Sequence, residues 1–450
     1  MVQTNLMTLP QELLLAICSE LCCHCLRTPI HDRVERRARQ ADLLSFSKAC
    51  RRLHAAAEPF RYHGPFLGRE LDLAFLLRTL SARPDLAARV SEVALHSFFR
   101  LPSTIATLDE TRPISASLPA ILAVALSGLK PRLRDLDGWT QHVAMLLSLL
   151  ELLPSPERLY LYLPGLFHLK QSFQSTKSFA GFWSTSLKTL AFGSAGCDYP
   201  LDDAVHLLRR APNLEILRCD QLQEVSDRFS ASLRRATPSD PAPLQSLTEL
   251  ALADMYLTAA DFGNLVSPIG PRLARVTIGR TANEKFIVEF AEVVTALQPW
   301  RNTLKELSFT IDGVALPYIA GLSPARRLRK FEVLEVLETQ TVCFDLDGDV
   351  GPQEEALASA LPPSIRRLRL LGSGDLAPGL WGLAGALEAG RFAQLRTVEI
   401  DGQSGKGDGP ESEAGRGLGD VAWGTWLPHF GRPGSVSSSI LCHRLADWAL

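Results

Sequence analysis

The chain of 450 residues sets 47 lysines and arginines against 49 aspartates and glutamates, a net charge of −2. Such a balance leaves no global field to hold nucleic acid or an anionic membrane, and neither is expected as a partner. The length exceeds one average domain, and nine cysteines scattered over it make no disulfide framework, so reduced thiols in cytoplasm and/or nucleus are expected.

The first informative stretch is Leu9-Pro10-Gln11-Glu12-Leu13-Leu14-Leu15-Ala16-Ile17. Pro10 suits a helix start, Glu12 complements the positive end of the helix, and Leu13, Ile17 and Leu21 form an apolar stripe. A second stripe, Phe46, Cys50 and Leu53, lies on a later helix. Two stripes in so short a segment need a partner surface.

Together with the run Ser47-Lys48-Ala49-Cys50-Arg51-Arg52-Leu53 and the trailing Pro59-Phe60-Arg61-Tyr62, these residues resemble an F-box at 6–63. The resemblance implies docking to a Skp-type adaptor, and through it to a cullin. It assigns that contact to Leu9, Pro10, Glu12, Leu13, Ile17, Leu43, Phe46, Cys50 and Leu53. The chain departs from the family in an insert at about 22–41, rich in Cys and Arg, which a long loop would accommodate. Its arginines (Arg27, Arg33, Arg36, Arg37, Arg39) are diluted by Asp32 and Glu35 and read as a solvated helix face. Cys18, Cys22, Cys23, His24, Cys25 and His31 suggest zinc. Adjacent Cys22 and Cys23 match the usual zinc spacing poorly, so no metal and no cofactor is expected.

From about residue 69 to 400 one pattern recurs: apolar, two variable, apolar, one variable, apolar. Its copies begin at Val90, Pro156, Leu187, Leu214, Leu247, Leu273, Leu304, Leu328, Ile365 and Leu395. From 156 onward the spacings are 31, 27, 33, 26, 31, 24, 37 and 30, with helical stretches between, clearest at 202–210, 258–266, 283–297 and 353–360. Thr258 with Asp261 reads as a helix-start cap. A short strand plus a helix cannot bury its own apolar face, so neighbours must stack. The fold expected is α/β: a helical N-terminal module followed by an irregular solenoid, parallel strands concave and helices convex. The recurrence resembles the degenerate leucine-rich repeats that follow many fungal F-boxes, as does 75–95, a helix ending in Arg83-Pro84 before a short strand.

Residues 101–153 read as an irregular section. The best apolar runs there, 116–129 and 143–153, are interrupted by Pro119 and Glu151 and fall short of a membrane span. Glycine-rich 401–420 reads as a flexible loop, and 421–450, with Trp423, Trp426 and Phe430, as a cap or tail.

No catalytic constellation emerges, and a non-enzyme is expected. Asp345-Leu346-Asp347-Gly348-Asp349 fails as a calcium loop at Val350 and Ala356. The glycines at 415, 417 and 419 lack a Walker lysine. Cys197 and Cys343 default to core cysteines. In the repeat strands the residues between the leucines face outward. The target-binding candidates there are Arg158, Tyr160, Arg218, Glu249, Arg275, Glu306, Arg367 and Arg369, with Lys330, Glu332 and Glu399 among their neighbours. The resemblance as a whole implies a substrate receptor of an SCF-type ubiquitin ligase holding an unknown target protein; a scaffold outside any ligase is the alternative.

Overall fold

A computed structural model describes residues 6–26, 33–67, 70–96, 148–162, 186–193, 199–234, 243–281, 288–312, 326–344, 353–371, 377–401 and 438–441. The chain divides into two units, Met1–Leu273 and Ala274–Leu450.

The first unit opens with three helices, α1 (Gln11–Leu21), α2 (Arg33–Lys48) and α3 (Arg51–Arg61). They enclose a small core of Leu14, Cys18, Leu43, Leu53, Ala56 and Ala57, with Leu9, Leu21, Phe46, Cys50 and Phe60 packed against it. The buried side of α1 is therefore the Leu14–Cys18 side, one residue out of phase with the expected stripe, because Leu13, Leu14 and Leu15 are all apolar and only the tertiary partner selects among them. The second stripe is broken. Cys50 is extended and its sulfur accepts the Leu53 N–H at 3.5 Å, so it caps α3 instead of lying within a helix. The insert is also more ordered than a loop, since from Arg33 onward it forms the first turns of α2. Arg36 does not belong to a solvated face: it is 1% exposed and paired with Glu92.

The same unit continues with β1 (Phe66–Leu67), α4 (Glu70–Ala82), α5 (Pro84–Ala87), β2 (Glu92–His96), β3 (Arg158–Tyr162), β4 (Thr189–Gly193) and β5 (Tyr199–Pro200). Then come α6 (Val205–Leu208), β6 (Ile216–Asp220), β7 (Leu222–Glu224), α7 (Asp227–Arg234), β8 (Glu249–Ala253) and α8 (Ala259–Val266). Strands β1, β2, β3, β4, β6 and β8 pair in that order, all parallel. Parallel neighbours require a crossover, which the intervening segments supply. Strands β5 and β7 form a separate short pair. Repeats are also tied at their turns. The Asp202 carboxylate accepts the Ser226 N–H at 3.1 Å and Asp261 accepts the Val225 N–H at 3.2 Å. The expected Thr258–Asp261 cap is present as a reciprocal capping box on α8. Gly270 is required by close approach, since a Cβ there would lie 2.5 Å from the Gln245 carbonyl oxygen.

The second unit contains β9 (Arg275–Thr281), α9 (Phe290–Ala296), β10 (Glu306–Asp312), β11 (Val336–Gln340), α10 (Gln353–Ala360), β12 (Arg367–Leu371), α11 (Ala377–Glu388), β13 (Thr397–Asp401) and β14 (Ser438–Leu441). Strands β9 to β13 pair in sequence order and parallel, and β14 adds to β13 antiparallel.

In both units the residue before the strand offers one carbonyl to two successive N–H groups of the next repeat. Glu157 accepts from Lys188 and Thr189, and Lys188 from Glu215 and Ile216. In the second unit Lys305 accepts from Glu335 and Val336, and Glu335 from Arg366 and Arg367. This rung corrects one expectation. The copy placed at Leu328 is a 3-10 turn (Arg326–Lys330), and the strand follows Leu334. The correct frame replaces gaps of 24 and 37 with 30 (304 to 334) and 31 (334 to 365). The other copies within the described residues hold their register: Leu159, Leu161, Leu190, Phe192, Leu217, Cys219, Leu250 and Leu252 are buried in the first unit, and Val276, Ile278, Leu307, Phe309, Leu368 and Leu370 in the second. Burying each such large side chain contributes about 1.5–3 kcal/mol relative to exposure. Each unit is thus a stack of leucine-pinned strand–helix layers, the leucine-rich-repeat solenoid arrangement.

Most of the irregular section lies outside the described residues, as do the Gly-rich loop, the calcium-like loop, Cys197 and the tryptophans of the tail. No helix among the described residues is long and apolar enough to cross a membrane.

Candidate interaction surfaces

The residues singled out by sequence lie on the three-helix module and on the strand faces of the two units. On the outer side of the module Pro10, Glu12 and Leu13 are exposed, Leu13 at 49%, and Ile17 is half-buried. Leu9, Phe46 and Cys50 are also half-buried, leaning on the module core. Leu43 and Leu53 are 3% exposed and lie inside that core, so they position the surface without belonging to it. Leu6 (46%) and Leu15 (37%) extend the surface and were not anticipated. The signal for Leu15 was present, because a leucine flanking a buried Leu14 on a helix must project to its side; Leu6 lies before α1, on a short 3-10 turn (Leu6–Thr8).

The outward strand residues form a face in each unit, and the two faces differ in character. In the first unit Tyr160 stands in register between Ala94 and Ala191, and all three are buried. Tyr160 is 7% exposed, and burial, then the Glu92 carboxylate, push its phenol pKa upward. It is an interior residue and not a surface anchor. Its size between two alanines lets it fill the space they leave. Arg158 is mostly covered and donates to Glu92 at 3.2 Å. Arg218 and Glu249 pair across β6 and β8 at 2.9 Å.

The second unit carries a continuous polar network. Ser308 donates to Glu338 (2.9 Å), Arg369 donates to Glu338 (2.7 Å), and Arg367 donates to both oxygens of Glu399 (2.8 and 3.0 Å). Arg369 also lies 3.9 Å from Glu399. The stripe crosses β10 to β13 and presents equal numbers of Arg and Glu charges. Arg275 and Glu306, both exposed, stand opposite each other on β9 and β10. Lys330 and Glu332 are not part of the stripe; the frame shift puts Glu338 there. Cys343 is buried in the same unit, and burial pushes its thiol up to about 11, which favours the protonated form.

No family model matches the sequence, and no curated protein matches it. Among solved structures the chain is similar to the leucine-rich repeat-containing protein LegL7 from Legionella pneumophila, at 16% identity over 59% of this chain and 80% of that one, with a TM-score of 0.34.

Proposed function

We propose that the chain is an adaptor-docked recruiter, the substrate-recognition subunit of an SCF-type ubiquitin ligase working where its adaptor does, in cytoplasm and/or nucleus. One observation carries the reading. Of the seven large apolar side chains exposed among the described residues, five (Leu6, Leu13, Leu15, Leu26 and Val34) belong to the N-terminal module. Apolar exposure concentrated in one small helical module is what a docking surface requires. The F-box resemblance of the same residues supplies the partner, a Skp-type adaptor.

The outward strand stripe would then hold the target. Arg residues set in a polar network on a rigid sheet are suited to protein recognition. The chain's role is proximity: it raises the effective concentration of the target near a ubiquitin-loaded enzyme and makes or breaks no bond itself. Reconstitution with adaptor, cullin and the ubiquitin enzymes tests this. Ubiquitin transfer to a protein captured on the stripe supports the ligase role. Capture and adaptor binding without transfer support a scaffold outside the ligase, and absence of adaptor binding removes both.

A further inference from the structure

The insert brings together a set of donors that its sequence order obscured. Cys22 Sγ, Cys25 Sγ and one ring nitrogen of His63 all lie within 4.8 Å of one another. Cys25 Sγ and His63 Nδ1 are 3.6 Å apart. A tetrahedral ion with bonds of about 2.3 Å to sulfur and about 2.0 Å to nitrogen holds such a pair about 3.5 Å apart. Cys22 and Cys25 have the two-residue spacing of zinc-binding cysteine pairs. Cys23 does not interfere, because its thiol turns the other way and donates to the Arg36 carbonyl at 3.5 Å.

A second observation points to the same place. Both ring nitrogens of His24 are buried without a hydrogen-bond partner. Its ring stands edge-on to that of His63, centroids 5.7 Å apart. An imidazole whose two nitrogens are both covered and unsatisfied is costly unless something binds it. The cluster also sits at a junction. The carbonyl of His63 accepts the N–H groups of Ser91 and Glu92 at 3.0 and 2.9 Å, so the residue bearing one donor also forms the rung that starts β2.

We propose that Cys22, Cys25 and His63 bind a zinc-class divalent ion, with His24 completing a four-donor set by a change of rotamer. The site pins the turn after α1 to the entry of the first repeat. It acts as a structural clip, since two thiolates and two imidazoles are the donor set of closed zinc sites, which contribute folding energy outright. It rests on the geometry of the first unit alone and stands whether or not the outer face binds an adaptor.

Full-length protein is purified with zinc, stripped of loose metal on chelating resin and analysed for metal content. About one zinc per chain is expected. Cobalt substitution is expected to give thiolate-to-metal charge-transfer bands and the visible bands of a tetrahedral site. Changes outside the ligand set already cost about 10–100-fold in affinity, so Cys25→Ser and His63→Gln are each expected to lose at least about 100-fold, and His24→Gln about 10-fold. Cys25 is exposed, so its replacement tests the site without opening the core. Circular dichroism checks the fold of every variant. Cys50→Ser, which keeps an oxygen at the α3 cap, is expected to bind metal as the parent does. The proposal is overturned if the folded parent retains no zinc and gives no cobalt–thiolate bands, or if Cys25→Ser or His63→Gln retains full affinity. Unchanged affinity in His24→Gln overturns the four-donor set.

Discussion

Arg36 on α2 and Glu92 on β2 form an ion pair in which each side chain is only 1% exposed. Glu92 is shared with Arg158 of β3, so one carboxylate joins the helical module to the first two long strands. Removing one member of a buried pair strands the other charge at a cost of about 3–5 kcal/mol, whereas replacing both with apolar residues is often neutral or stabilising. Glu92→Leu is therefore expected to lose about 3–5 kcal/mol in urea unfolding, and Arg36→Met/Glu92→Leu to recover most of it. Equal loss in the single and double variants would show that the pair is not the cause.

Thr339 occupies the third apolar slot of the β11 repeat, fully buried, with its hydroxyl set against the weakly bonding Cys343 thiol. Thr339→Val supplies the methyl group the layer calls for and is expected to stabilise by about 1 kcal/mol, read as a higher urea midpoint. A loss would mean that the hydroxyl is well satisfied.

Asp261 both closes the α8 capping box and accepts the Val225 N–H of the adjoining repeat. Asp261→Ala is expected to cost about 1–2 kcal/mol, at the upper end of helix-cap values because three donors, the Val225 N–H and the Thr258 N–H and hydroxyl, lose their partner. Asp261→Asn is expected to cost less, since its side-chain oxygen can still accept.

Arg369, 38% exposed, lies between Glu338 and Glu399. Half-exposed pairs of this kind are worth about 0–1 kcal/mol, so Arg369→Glu is expected to stay folded with a stability change of about 1 kcal/mol or less. It also changes the network from balanced to acidic. Proteins captured by the parent after proteasome blockade are expected to be lost from the variant; an unchanged profile would exclude the stripe as the target surface.

The leucine frame was legible because its spacing follows from strand geometry, and nine of ten copies were read at the right residues. The tenth failed where Thr339 replaced the apolar residue, so that Leu328, Phe331 and Val333 offered a better-looking frame six residues early. Faces were harder to read than elements. A helix with Leu13, Leu14 and Leu15 in a row has no unique apolar side, and a strand residue such as Tyr160 is exposed or buried according to what lies beside it. Charge misled at Arg36, because its partner Glu92 is 56 residues away. The metal cluster was hidden in the same way, since His63 lies 38 residues beyond Cys25 and becomes its neighbour only through the return of α3.

Calorimetric titration of the full chain with a Skp-type adaptor tests the docking role of the outer α1 face most directly. The parent is expected to bind with a Kd of about 1 μM or tighter, and Leu13→Asp/Leu15→Asp, with an unchanged circular dichroism spectrum, at least about 100-fold more weakly. No binding by the parent, or equal binding by the variant, would contradict it.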